Sequence, residues 1–279
     1  MTLDRLGLLP AHLAWLEVGG LSPNTLIGRG QAVRALGRHA GVDLADVTGA
    51  QIGAFLVRTK TDGTKLAQKT RHVYRSHVGE FFAWAVDEEL IERDPCRRVP
   101  RVKDVKGVPH PIARADLQFA LATANPQVRC WLLLGAYAGL RCLEMAALRG
   151  EDVRADADPP MLVIARGKGG KSGAVPLHPL LAAELAAWPR EGFLFPGPDA
   201  GHLRPRDVSR PVNRHLDRCG IDATAHSCRH LFGSSVYAAG HDLLLTQKML
   251  RHANPNTTQG YVQLDPGAAV AVVAGLSYA

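Results

Sequence analysis

The chain has 279 residues and a mass of 30.0 kDa, enough for about two domains, and its 46% hydrophobic and 21% charged residues exclude a disordered or fibrous protein. Its 33 Lys and Arg against 26 Asp and Glu leave a net charge of +7, which favours a polyanionic partner such as nucleic acid or an acidic membrane surface. No apolar run approaches the roughly 20 residues of a membrane span, no basic n-region opens a secretory signal, and five cysteines without a CxxC pair exclude a disulfide framework or structural zinc, so a reducing cytoplasm is expected.

The N-terminal third reads as helices. Ser22-Pro23 supplies an N-cap and a proline at the first helical position, and Leu26, Val33, Leu36 and Ala40 recur at helical spacing until Gly41. Thr48 and Gln51 form a capping box for a second helix carrying Ile52, Phe55 and Leu56. A longer helix is expected from about Leu66 to Leu90, with Val73, Val78, Phe81, Phe82 and Ala85 on its apolar side. Lys65, Lys69, His72 and Ser76 share one face at i+3 or i+4, flanked by Arg71 and Arg75. Such a stripe is either a solvated helix surface or a surface for a polyanion.

From Ile91 to Pro111, four prolines and the basic residues Arg93, Arg97, Arg98, Arg101, Lys103 and Lys106 read as an extended linker. The expected domains are therefore 1–94, helical, a basic linker over 95–111, and 112–279. The linker suits either a solvated spacer or a strand lying along a phosphate backbone. Beyond it, Leu117 to Ala124, Trp131 to Ala138 and Leu143 to Leu148 read as helices. Met161 to Ala165 and Gly173 to Leu177 read as two short strands around the turn RGKGGKS, and His178-Pro179 opens a helix through Trp188. After PRDVSRP the pattern is helical almost to the C-terminus, with breaks at Gly220, Gly240 and Asn254-Pro255.

The turn invites a nucleotide-binding P-loop reading, which fails. With Gly170-Lys171-Ser172 in place the first glycine belongs at 165, where the residue is Ala165, and the following GAVPLHP holds Pro176 and Pro179 instead of a helix. A second constellation is spread through the C-terminal part: Arg141, Lys168, His226, Arg229, His252 and Tyr261, with no carboxylate cluster of the kind that holds a metal. Each alone has a structural explanation, as a cap, a turn lysine, a structural histidine or a packed tyrosine. Together they suit phosphoryl transfer without a metal ion. Arginine binds non-bridging phosphate oxygens through paired donors and keeps its charge, and positioned cations stabilise the extra negative charge of the transition state. A tyrosine hydroxyl is a competent nucleophile when a neighbour takes its proton or cations stabilise the phenolate, and lysine or histidine protonates a leaving oxygen.

In order and spacing these segments resemble the tyrosine recombinase, or phage integrase, family over nearly the whole chain. GLRCLEMAAL resembles the first-arginine box, with Arg141 catalytic and Glu144 supporting it. GKGGKSGAVPL resembles the hairpin that delivers the catalytic Lys168. The run from His226 to Val262 resembles the second box, with His226 and Arg229 as its H-x-x-R pair, His252 as its second histidine and Tyr261 as nucleophile. Arg251 departs from the glycine usual before the second histidine, and is expected either to contact DNA or to shift the turn. Gly260, unusual beside the nucleophile, is expected to let the Tyr261 segment move.

The resemblance implies a mainly α protein: a helical N-terminal core-site-binding domain and a mostly α catalytic domain with a small β-hairpin. It implies a minimal two-domain integrase or Xer-like recombinase, without an arm-site domain, that exchanges strands through a 3′-phosphotyrosyl intermediate with neither metal nor cofactor. Its partners would be double-stranded DNA core sites, three further copies in a tetramer on DNA, and an accessory directionality protein, with a free monomer otherwise. Lys65, Lys69, Arg71, His72, Arg75, Arg97, Arg98, Arg101 and Arg251 are the expected DNA contacts. The apolar tail from Ala268 to Leu276 would dock on a neighbouring protomer or cover its own core. The setting would be a bacterial cytoplasm or nucleoid, the gene chromosomal, transposon-borne or phage-encoded. A type IB topoisomerase and a non-catalytic DNA-binding protein are the alternatives.

Overall fold

The computed structural model describes residues 4–105, 109–164, 173–198 and 201–251. They divide into two compact units that part between Gly107 and Val108.

The first unit holds four helices: α1 (Leu8–Val18), α2 (Pro23–Ala40), α3 (Gly49–Val57) and α4 (Gln68–Asp87). The caps read from sequence form as expected. Ser22 accepts the Thr25 N–H, and Thr48 and Gln51 make a reciprocal capping box at α3. The apolar faces meet in a core where Leu36, Ile52, Phe55, Val78, Phe81 and Phe82 are completely buried. α1 was not anticipated as a separate element. It contributes Leu8, Leu9 and Leu16 to this core together with His12.

The stretch expected to run as a linker from residue 95 is held against α4 as far as Lys103, whose carbonyl accepts from Gln68 Nε2. Cys96 and Val99 are buried in the core, Arg75 donates to their carbonyls at 2.8 and 3.0 Å, and His72 Nδ1 lies 2.7 Å from the Val102 oxygen. Prolines and arginines conceal two core residues here. The five cysteines are free thiols, and burial pushes Cys96 and Cys228 up to about 12, beyond ready reactivity.

His12 is 1% exposed, with neither ring nitrogen hydrogen-bonded, among Trp15, Phe81 and Trp84. Burial, aided by the charge of Arg29, lowers its pKa from 6.5 to about 4. A depressed histidine leaves the unfolded chain binding the proton first, so stability is full above 6.5 and falls as the pH drops toward 4. The expected loss is on the order of 3 kcal/mol by pH 4. Denaturation curves across that window should flatten in His12→Leu; an unchanged slope would contradict the assignment.

The second unit is helical around one small sheet. Its helices are α5 (Arg114–Thr123), α6 (Pro126–Ala138), α7 (Cys142–Ala146), α8 (Pro179–Leu185), α9 (Pro205–Arg218), α10 (Ala225–Gly240) and α11 (Leu243–Leu250). The strands β1 (Val153–Arg154), β2 (Met161–Ile164) and β3 (Gly173–Pro176) form an antiparallel sheet in the order β1-β2-β3, with Leu162 opposite both Val153 and Val175. Alternation turns Leu162, Ile164 and Val175 into the core beside Leu132, Leu134, Met145, Phe195 and Leu216. β1 went unread because two residues carry no period. PRDVSRP also differs from expectation: it lies inside α9, with Pro205 at the favourable first position and Pro211 carried in the helix interior. Among the described residues no helix is long and apolar enough to cross a membrane. The result is a mainly α protein with one small antiparallel sheet, as the sequence implied.

Candidate active site

The site lies in the second unit, where α6 ends, α7 begins and α10 and α11 pack. Gly139 closes α6 at φ +61, a left-handed turn, and a Cβ there would stand 2.4 Å from the Phe232 ring. The chain thereby reverses into Arg141, the N-cap of α7, with Glu144 at the third helical position. The Glu144 carboxylate accepts the Arg141 backbone N–H on Oε2 and the Arg141 guanidinium on Oε1, both at 2.8 Å. This pair is local in sequence, which is why it was legible there.

α10 brings the other half. His226 and Arg229, one turn apart, share a face. Arg229 is completely buried, and its guanidinium donates to the carbonyls of Gly139, 90 residues away, and Leu250, with Nη1 3.9 Å from Glu144 Oε2. His226 lies at the surface of α10. The protein mass around it, and then the Arg229 and Arg141 guanidiniums, push its pKa below the ordinary 6.5, which leaves it neutral near pH 7 and able to share a proton with a phosphate oxygen. The His226 and His230 rings meet edge to face at 4.5 Å.

Arg251 ends α11 at φ +53, in the left-handed region that costs a side-chain-bearing residue about 1–3 kcal/mol. Its Nη2 lies 2.9 Å from Glu144 Oε2 and donates to the Gly139 carbonyl at 2.9 Å, while Nη1 donates to Met249 at 2.9 Å. Arg251, expected either to contact DNA or to shift the turn, has its guanidinium turned inward onto the carboxylate, its side chain 11% exposed.

Three guanidiniums thus surround one carboxylate. Burial would raise the Glu144 pKa, but Arg251, the Arg141 N–H and Arg229 outweigh it and hold the carboxyl below the usual range, so it is ionised. Positive charge remains in excess, and Arg141, its side chain 22% exposed, is the guanidinium most open to a ligand. Such a site takes a phosphodiester. Among the described residues no group of three or more His, Cys, Asp or Glu side chains is placed to hold a metal ion. Lys168, His252, Tyr261, Gly260 and the tail from Ala268 lie outside the described residues.

Of the residues expected to contact DNA, Lys65, Lys69, Arg97, Arg98 and Arg101 are exposed, and Arg71, His72 and Arg75 half-buried. A groove of about 780 Å³ in the first unit is lined by His72, Arg75, Ser76, Arg97, Arg98 and Arg101. Arg75 spends its guanidinium on the carbonyls of Cys96 and Val99, so its part in that groove is to hold the wall in place.

Residues 114–267 match the model of the Phage integrase family. The chain is 30% identical to the tyrosine recombinase XerD of Caulobacter vibrioides, over 86% of each protein. It is 33% identical to the tyrosine recombinase XerC of Rhodospirillum centenum, over 82% of this chain and 72% of that one. Its fold is that of a lambda integrase tetramer bound to a Holliday junction, with a TM-score of 0.70 at 18% identity over 91% of this chain and 79% of the integrase.

Proposed function

The chain belongs to the phage integrase family of tyrosine recombinases, site-specific enzymes that break and rejoin DNA, and from that premise we propose how its own residues carry out strand exchange. The observation that supports the reading is the convergence of Arg141 and Arg229 on the buried carboxylate of Glu144, with His226 one turn from Arg229 and within the field of both guanidiniums. Arg141 and Arg229 bind the non-bridging oxygens of the scissile phosphate, and neutral His226 donates to or accepts from them. The Tyr261 hydroxyl oxygen attacks phosphorus as its proton passes to a neutral histidine, His226 or the assisting His252; the bond to the 5′ oxygen breaks, and Lys168 gives that oxygen a proton. The products are a 3′-phosphotyrosyl bond and a free 5′-hydroxyl. A 5′-hydroxyl from a partner duplex then attacks the same phosphorus, giving its proton to the Lys168 amine, and releases Tyr261, which takes its proton back from the histidine. One phosphodiester is exchanged for another, so the chemistry consumes no nucleotide.

We assign the first unit to core-site binding, with Lys65, Lys69, Arg97, Arg98 and Arg101 on phosphates, where they position the protein without reading sequence. Four protomers on two sites would form the working assembly, by analogy with the lambda integrase tetramer. The test is a supercoiled plasmid carrying two copies of the native site, incubated with EDTA and without ATP. Deletion or inversion products that require both copies are expected. Relaxation with a single copy and no exchange would mean a topoisomerase.

A further inference from the structure

Glu144 carries more cations than holding Arg141 requires. Its Oε1 is taken by the Arg141 guanidinium, and its Oε2 by the Arg141 N–H and by Arg251, with Arg229 farther off at 3.9 Å. Arg251 reaches the carboxylate from 107 residues away, out of a left-handed backbone position that glycine fills more easily. The same guanidinium holds the Gly139 and Met249 carbonyls, so one side chain joins the end of α11 to the turn before Arg141. Its aliphatic part abuts the first residue of β3: a Cβ on Gly173 would stand 2.9 Å from Arg251 Cδ.

We propose that Arg251 is a positioning residue for strand cleavage: by occupying Glu144 Oε2 it keeps Arg141 on the carboxylate through Nη1 alone and leaves the other edge of that guanidinium for the scissile phosphate. With Arg251 gone, Oε2 keeps the Arg141 backbone N–H alone, and its second acceptor position draws a guanidinium into a two-bond fork across the carboxylate, the stronger and geometrically preferred pairing. Without Arg251, Arg141 turns both amino groups onto Glu144 and loses the paired donors that meet the phosphate oxygens. The groups that face Glu144 are thus Arg141 from α7, Arg229 from α10 and Arg251 from the end of α11, and only the last has no assigned task in the reaction. The inference rests on the reading of this site as a phosphoryl-transfer centre.

The experiment compares wild type, Arg251→Gly and Arg251→Lys in single-turnover cleavage of a nicked duplex carrying the native site, with duplex affinity measured alongside. Glycine adopts φ +53 without strain, so the first variant keeps the backbone. Cleavage by Arg251→Gly is expected to slow about tenfold while affinity stays within about twofold, and the lysine, which still places a cation on Oε2, is expected to recover most of the rate. A glycine variant as fast as wild type would overturn the inference. So would parallel loss of affinity and rate, which would make Arg251 a DNA contact, or a lysine variant as slow as the glycine one. If wild type itself forms no covalent adduct, the recombinase chemistry proposed for the site fails and this inference with it; adduct formation by wild type with an unaffected glycine variant removes the inference alone.

Discussion

Glu144→Ala is expected to destabilise the protein by about 3–5 kcal/mol, the cost of removing one partner from a buried ionic cluster. The carboxylate is fully buried and stands among Arg141, Arg229 and Arg251, whose side chains are 22%, 1% and 11% exposed. Its loss leaves Arg229 and Arg251 as buried like charges facing each other, and deprives α7 of the acceptor for its N-cap N–H. Glu144→Gln keeps the shape and the acceptor but not the charge, and is expected to fall between alanine and wild type. Because the cations hold the Glu144 pKa below its ordinary value, this contribution is complete above the unfolded carboxylate range and is lost as the pH falls through the folded value. Urea denaturation at neutral pH measures it directly, and a loss below about 1 kcal/mol would show that the cluster is not coupled as described.

Arg141→Ala is expected to act on rate. Its partly exposed guanidinium makes one side-chain hydrogen bond, and Glu144 keeps Arg251 when it is removed, so stability should change by less than about 1 kcal/mol. Strand cleavage should fall about 10²–10³-fold, the usual effect of deleting one preorganised donor to a developing oxyanion. Arg141→Lys keeps the charge without the planar pair of donors and is expected to recover only part of it. Arg229 behaves differently, since it holds the Gly139 and Leu250 carbonyls from a completely buried position. Cleavage by Arg141→Ala at the wild-type rate would remove Arg141 from the reaction.

What the sequence made legible was local. Ser22, Thr48 and Gln51 announce α2 and α3 because a cap and the amides it satisfies lie within one turn, and Arg141 and Glu144 are three residues apart. What it concealed depends on distant contacts. Cys96 and Val99 pack against α4 and meet Arg75 across 21 and 24 residues, so a proline-rich basic composition could not mark where the first unit ends. Pro205 and Pro211 look like helix breakers, yet the first suits the helix start and packing of Val208, Val212 and Leu216 outweighs the second. Arg251 is the sharpest case. Its charge suggested an outward contact, whereas the buried carboxylate that claims it is 107 residues away.

The central claim is that this site forms a phosphotyrosyl bond through Tyr261. Nicked duplexes from the DNA flanking the gene, incubated with the protein and then denatured, trap that bond because the short fragment carrying the free 5′-hydroxyl diffuses away. The account predicts a denaturation-resistant protein–DNA adduct in wild type, absent in Tyr261→Phe, with duplex binding retained in both. An adduct that persists in Tyr261→Phe, or tight duplex binding with no adduct in wild type, would contradict it.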